Sequence, residues 1–417
     1  MPHSAARGIA AAAVLGALSA CGGGATPSGS ADAPLLIAVV APTTAAPYLA
    51  QSLHRGADLA VRELNAAGGV SINGTRHRVE LRTYDDGLDP QRTRAAVQRA
   101  IHDGAFGIVT DGYGSAASAP DSAAAGVPEI VVFNGSTSLI DPQTRPSLFR
   151  LGIANDAASS ILSGYLAKSS KAPGIRHDDT DNARDGDKQL RTALATAGVH
   201  PVGSQESAHD LVTVDAPVRA LLDAHADSLI VWGTDTFVAR VVSAAHTAAP
   251  SLPIFAGPSG ESPAVRALAG TDSDGVAFIA SRMTSEVDSA SFGQFEHRLA
   301  AAEGGPTDAG IKDRERREIR QPADAEIFSY DAVNLLAAAA PKLGGTTPSS
   351  KLLQLMTQTR VHSANGDARG FNPDNHEGVA DDDLYIARIH DMVFAPVKDE
   401  PLSATLPTAD QILADFH

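Results

Sequence analysis

From residue 35 onward, uninterrupted apolar runs alternate with segments in which apolar positions recur every three to four residues. Leu35-Leu36-Ile37-Ala38-Val39-Val40 is apolar throughout, as in a strand buried on both faces. Residues 51–66 place Leu53, Ala57, Ala60, Val61 and Leu64 on one helical face, and Gly68-Gly69 ends that helix. Val79 to Tyr84 alternates like a strand, Pro90 to Asp103 is an amphipathic helix, and Phe106 to Thr110 is a third strand. Ala116 to Ala125 predicts a helix and Ile130 to Phe133 a fourth strand.

The rhythm then restarts. Helices are predicted over 157–167, over 188–197 with Gly198 as the stop, and around 218–223. Ser228 to Trp232 reads as a buried strand, with a helix over 236–246 after it. Pro253 to Ala256 and Val276 to Ile279 complete the series. Strands alternating with helices predict a parallel sheet covered on both faces, here in two α/β lobes of similar build.

Composition adds bounds to this picture. The chain has 417 residues, 43% hydrophobic and 20% charged, enough for a large core and two or three domains. Its net charge of −16 opposes nucleic-acid binding, which needs basic patches. It also opposes adsorption to anionic lipid. The one cysteine, Cys21, follows Leu18-Ser19-Ala20 and a short apolar stretch, Ile9 to Ala20, with Arg7 before it. That is the order of a secretory signal, and the stretch is too short to span a bilayer, which takes ~20 residues. A Cys directly after small residues looks like a bacterial lipobox, which predicts lipid on Cys21 and a Gly/Ser/Pro/Ala-rich tether after it. The alternative is an ordinary signal peptide, leaving Cys21 a lone thiol in an oxidising compartment.

Candidate chemistry sits at the predicted strand ends, where open α/β sheets bind ligands. In the first lobe these are Pro42-Thr43-Thr44, Asp111-Gly112-Tyr113-Gly114-Ser115 and Asn134-Gly135-Ser136-Thr137. In the second they are Trp232-Gly233-Thr234-Asp235 and Gly257-Pro258-Ser259-Gly260-Glu261. Backbone N–H groups and hydroxyls beside helix N-termini suit a carboxylate or another small polar group. Motifs for nucleophilic, metalloprotease or phosphate-binding chemistry are lacking, so no enzymatic activity, cofactor or metal is expected. Asp178, Asp179, Asp181, Asp185 and Asp187 lack the spacing of a calcium loop and read as a solvated loop. Asn73-Gly74-Thr75 reads as a turn before it reads as a glycosylation sequon. Residues 312–320 are locally basic and read as a solvated segment or a partner contact.

Several stretches together resemble one family. Ile37 to Pro42, Arg55 to Val61 and Leu64-Asn65-Ala66-Ala67-Gly68-Gly69-Val70 look like the opening of type I periplasmic binding proteins of the branched-chain amino-acid type, the substrate-capturing parts of ABC importers. Tyr84-Asp85-Asp86 with Asp89-Pro90, Gly126-Val127-Pro128, Phe149-Arg150, Tyr330-Asp331-Ala332-Val333 and Gly370-Phe371-Asn372-Pro373 fit the same pattern. The resemblance implies two Rossmann-like lobes joined by three crossovers that close over one small ligand. It implies a signal peptide at 1–20, a tether at 21–34, lobe one at 35–152 plus 282–364, lobe two at 153–281 plus 365–398, and a tail at 399–417. It also implies a monomer, lipid-anchored at the outer face of the cell membrane and partnered by an ABC permease. A ligand sensor of the same fold, signalling to a membrane partner without transport, is the alternative.

The first lobe's binding loops carry over onto Tyr113, Ser115, Gly135, Ser136 and Thr137, which in amino-acid-binding relatives grip the ligand's carboxylate. The second lobe departs from the pattern. Asn182-Ala183 stands where relatives often have an aromatic–Gly pair, and the neighbourhood of Trp232, Thr234 and Asp235 replaces another aromatic. Ser259 stands where amino-acid binders place an acid for the ammonium group, with Glu261 two residues on. A cationic or zwitterionic ligand then needs Asp235 or Glu261, of which Asp235 is favoured; if both are solvated, a neutral ligand fits better.

Overall fold

The computed structural model describes residues 33–281, 289–302, 323–364, 366, 368–379 and 383–397. The chain opens with β1 (Leu35–Ala41), α1 (Pro47–Ala66), a hairpin of β2 (Val70–Ile72) and β3 (Thr75–His77), and β4 (Val79–Asp85). It continues with α2 (Pro90–His102), β5 (Gly107–Thr110), α3 (Ser115–Ala125), β6 (Glu129–Val131) and β7 (Leu148–Arg150). The first sheet has the order β4-β1-β5-β6-β7 and is parallel throughout.

A second series follows: α4 (Asn155–Leu166), β8 (Pro173–Asp178), α5 (Asp181–Thr196), β9 (Gly203–Ser207), α6 (Asp215–Asp223) and β10 (Ser228–Trp232). Then come α7 (Asp235–Ala248), β11 (Ile254–Ala256), α8 (Pro263–Ala269) and β12 (Ala277–Ser281). The last described elements are α9 (Ser289–Ala302), α10 (Asp324–Leu343), α11 (Ser350–Met356), β13 (Arg360–His362), β14 (Ala368–Gly370), β15 (Leu384–His390) and β16 (Val393–Pro396). The second sheet has the order β16-β15-β12-β11-β10-β8-β9. The chain thus leaves the first sheet after β7, returns after β12 to helices packed on α1, and enters the second sheet again at β15.

The two-sided burial of the strands has a direct readout. In β1, Leu35, Ile37 and Val39 enter the core shared with α1 and α10, while Leu36, Ala38 and Val40 enter the core under α2. In β10, Leu229 and Val231 face one side, Ile230 and Trp232 the other. Helix α10 docks so closely on α1 that a Cβ on Gly56 would stand 1.9 Å from the Glu326 carbonyl oxygen. Arg55 and Glu326 form an ion pair of 2.8 Å at the same contact.

Four features differ from expectation or refine it. The second sheet is mixed, because β15 and β16 join it antiparallel. Helix α5 starts at Asp181, not 188, because the Thr180 hydroxyl accepts from the Ala183 N–H at 3.2 Å. The acidic stretch read as a solvated loop is therefore the end of β8 and the first turns of α5, with Asp178 and Asp187 buried. Asn73-Gly74 forms the two-residue turn between β2 and β3, both residues at positive φ, as such hairpins require. The hairpin of β13 and β14 straddles the expected lobe boundary at 364/365, and Glu377 bridges to Arg150 beside the first sheet. Among the described residues no helix is long and apolar enough to cross a membrane. Cys21, the tail and segment 312–320 lie outside the described residues.

Candidate functional site

The loop after β6 meets the start of α5, after β8, and Asp178 at the end of β8 ties in Thr234 after β10, which places these loops on the two walls of one cleft. On the first wall, the β5–α3 loop has Gly112 and Gly114 at φ of 93° and 79°, in the left-handed region that suits glycine. The Asp111 carboxylate accepts from the Tyr113 N–H at 2.6 Å, and the loop feeds Ser115 into the first turn of α3.

Asn134 ties this loop to the next. Its N–H donates to the Asp111 carbonyl at 2.7 Å, its amide to the Gly112 carbonyl at 3.1 Å, and its side-chain oxygen accepts from the Ser136 N–H at 2.9 Å. Beneath lies Arg150, only 1% exposed. One guanidinium nitrogen donates to the Asn134 and Ser136 carbonyls at 3.1 and 2.9 Å. The rest forms a fork on Glu377 at 2.8 and 2.5 Å, the strong bidentate geometry.

The second wall is the start of α5. Asn182 accepts from the Gly135 N–H at 2.9 Å. Asp185 accepts from both the N–H and the hydroxyl of Thr137, each at 2.9 Å. Gln189 donates to the same hydroxyl at 3.1 Å. Asn155 donates to the Asn182 carbonyl at 2.9 Å and to Asp185 at 3.1 Å, which fixes the helix start. Behind it, the buried Asp178 accepts from the Thr180 hydroxyl at 2.6 Å and the Thr234 N–H at 2.5 Å.

Of the residues singled out in the sequence, Tyr113, Ser115, Gly135, Ser136, Thr137 and Asn182 come together here. The hydroxyls of Tyr113, Ser115 and Thr234 are buried and have no hydrogen-bond partner among the described residues. Burial, with Asp178 next in weight, pushes the Tyr113 phenol well up. Asp86 and Asp111 are fully buried beside each other. Burial raises Asp86 to about 6 and holds Asp111 well above the usual carboxylate range, Asp86 adding to the latter.

The other candidates sit elsewhere or are engaged. Trp232 belongs to the core of the second lobe, its ring filling the space beside Gly186 and Gly257. Asp235 is buried, not solvated; it accepts from the Thr236 N–H at 2.7 Å and the Ser262 hydroxyl at 3.0 Å. Burial raises its pKa. Ser259 is buried in the single turn Pro258–Glu261. Glu261 is also buried and turns to the start of α10, where it accepts from the Asp324 N–H at 2.8 Å. Burial, then the charge of Asp324, holds its carboxyl well above the usual range. Sequence reasoning placed Asn134 in a candidate loop, read Asp185 as part of a solvated loop, and missed Asn155 and Gln189. The signal for Asp185 was Thr180, a cap that converts the acidic stretch into a helix start. Among the described residues no group of three or more His, Cys, Asp or Glu is arranged to hold a metal ion.

Comparison with known proteins supplies the family. The family model described as periplasmic binding protein matches residues 34–392. A type 1 periplasmic binding protein of Bordetella pertussis superposes with a TM-score of 0.76 at 20% identity, covering 87% of this chain and 100% of that one. The branched-chain amino acid substrate-binding protein of Streptococcus pneumoniae, in complex with isoleucine, gives 0.73 at 18% identity, covering 87% and 97%. A solute-binding protein of an ABC transporter from Rhodopseudomonas palustris, in complex with benzoate, gives 0.72 at 16% identity, covering 87% and 95%. No curated protein matches the chain. With the family model spanning most of its length and two α/β lobes facing across a polar cleft, the chain belongs to the type I periplasmic binding proteins.

Proposed function

We propose that this chain is the extracytoplasmic substrate-binding component of an ABC importer, capturing a small polar ligand between its lobes. The observation that carries the reading is that three of the buried hydroxyls without partners among the described residues belong to these loops, Tyr113 and Ser115 on one wall and Thr234 on the other. A buried polar group left unsatisfied costs about 1–3 kcal/mol. A ligand that hydrogen-bonds these groups recovers that cost only when both walls are close, so it binds the closed state better and shifts the population toward it. Lobe one comprises 35–152 plus 282–364 and lobe two 153–281 plus 365–398, with the hairpin of β13 and β14 at the crossing between them. The protein acts as a monomer and presents its closed form to the permease.

Lipid on Cys21 anchors it to the outer face of the membrane, and the chain's negative charge leaves that lipid as its membrane contact. The decisive test is a thermal-shift screen of small polar solutes on the full chain, followed by calorimetry. A ligand at 100 times its dissociation constant raises stability by ~2.7 kcal/mol. A hit whose affinity survives loss of both the Ser115 and Thr234 hydroxyls removes these walls from the site. Cys21→Ser is expected to move the protein into the soluble fraction; retention on membranes after a high-salt wash ends the anchor reading.

A further inference from the structure

The backbone N–H and hydroxyl of Thr137 form a two-pronged donor set, the arrangement that receives a carboxylate. In this chain the set is already filled. Asp185, from the opposite wall, places one oxygen on each prong at 2.9 Å. The neighbouring donor, the Gly135 N–H, is taken by Asn182 at 2.9 Å. Asn155 holds both Asn182 and Asp185 in place. The first lobe's anion-receiving donors are therefore closed off by the chain's own second lobe.

What remains open is of the other kind. The three unpartnered hydroxyls of Tyr113, Ser115 and Thr234 accept as readily as they donate. Asp178, whose carboxylate accepts from the Thr234 N–H at 2.5 Å, opposes a negative charge at the Tyr113 hydroxyl. Arg150, the cation that reaches the Asn134–Thr137 loop, is committed to Glu377 and two carbonyl oxygens. An incoming carboxylate meets Asp178 and Asp185 on the second wall, and burying a charge without a partner is very costly. An amine or guanidine donates to the open hydroxyls and is attracted by the same acids.

We infer that the cleft takes a ligand with a positively charged nitrogen group and no carboxylate, and that Asp185 occupies from within the chain the place where a ligand carboxylate would dock. This inference rests on the substrate-binding reading above and names the class of substrate.

The test uses pairs of solutes that differ by the carboxylate alone. Agmatine is compared with L-arginine, and cadaverine with L-lysine, by calorimetry on the full chain, with acetamide, glycerol and isoleucine as further probes. The expected result is binding of agmatine or cadaverine at least tenfold tighter than its carboxylated partner. In Asp185→Ala, which frees the Thr137 donors, that preference shrinks tenfold or more as the carboxylated partner gains. Asp185→Asn keeps the shape and is the fallback if the alanine variant does not fold; it too should narrow the preference. Equal or tighter binding of L-arginine, L-lysine or isoleucine by the wild type overturns the inference while leaving the substrate-binding reading intact. So does binding of the neutral probes alone, or a preference unchanged in both variants. If no probe in this set or in the wider screen binds, the substrate-binding reading falls with it.

Discussion

The two walls of the cleft come from equivalent places in two similar lobes, yet they are made of different material. The first presents backbone: the N–H groups of Gly135 and Thr137 are the donors, and the loop is shaped by Asn134 and held from below by Arg150. The second presents side chains from one helix start, Asn182, Asp185 and Gln189. A wall of backbone groups keeps its chemistry as long as the loop keeps its shape, so its sequence stays close to a pattern of Gly, Ser and Thr. A wall of side chains changes its chemistry with each substitution. That is where this chain departs from the amino-acid-binding pattern it otherwise resembles, and the wall on which the proposed specificity rests.

The largest expected effect lies under the first wall. Arg150→Ala leaves Glu377 without its partner and removes the guanidinium under the Asn134 and Ser136 carbonyls. Breaking a fully buried ion pair from one side costs about 3–5 kcal/mol, and with the Glu377 side chain 25% exposed the low end of that range applies. Chemical denaturation is expected to show a loss in that range, with Arg150→Lys intermediate because a single ammonium cannot reproduce the fork. A loss below about 1 kcal/mol would mean that the loop stands without this support.

The second effect is a response to pH that is unevenly shared between the lobes. Burial raises Glu129, Asp324 and Asp331 to about 7 and Asp86 to about 6. These acids lie in or against the first lobe. A carboxyl whose pKa is raised on folding binds more protons folded than unfolded, so its contribution is complete at low pH and fades as pH climbs through the folded value. Between pH 6 and pH 8 each group near 7 loses on the order of 1 kcal/mol, at 1.36 kcal/mol per unit. Thermal melts should therefore be higher at pH 6 than at pH 8, with hydrogen exchange at pH 8 loosened in the first lobe. A flat profile over that window would show these carboxyls to be ionised in the folded chain.

The uneven legibility of the molecule has the same physical root. Strands buried on both faces announce themselves: β1 and β10 are apolar at every position because both faces meet a core. The first-wall loops were legible because Gly112 and Gly114 need positive φ and Ser115 opens a helix. The start of α5 was not, since its first two turns carry five charged residues and show little apolar periodicity; only its cap at Thr180 marks it. The burial of Trp232 was not legible because an aromatic at a strand end looks exposed, whereas its ring fills space left by Gly186 and Gly257, far apart in sequence. Nor was that of Glu261, whose partner, the Asp324 N–H, is 63 residues away.

Asn182→Ala tests the contact between the walls at smaller cost. It strands the Gly135 N–H, and an unsatisfied buried donor costs about 1–3 kcal/mol. Because the contact spans the cleft, the loss is expected in the closed form, so small-angle scattering of the variant should show a more open chain. An unchanged scattering profile together with unchanged stability would mean that the walls are held together elsewhere.

The smallest loss sharpens the comparison most, because it separates an atom used by the fold from an atom left for a ligand. The Ser115 hydroxyl is buried without a partner, whereas the Thr137 hydroxyl is engaged by Asp185 and Gln189. Ser115→Ala removes a buried group that makes no internal hydrogen bond, so the protein without ligand should be at least as stable as wild type, gaining up to about 1–3 kcal/mol. Affinity for whatever ligand the screen yields should drop by ~0.5–1.5 kcal/mol, the usual worth of one hydrogen bond. Thr137→Ala is expected to show the reverse balance: a stability loss on the order of 1 kcal/mol from the broken contact with Asp185, and a smaller change in affinity. Calorimetry and thermal melts on the two variants measure all four quantities. If Ser115→Ala destabilises the free protein while Thr137→Ala weakens binding, the division between the wall the fold has filled and the hydroxyls it has left open is wrong.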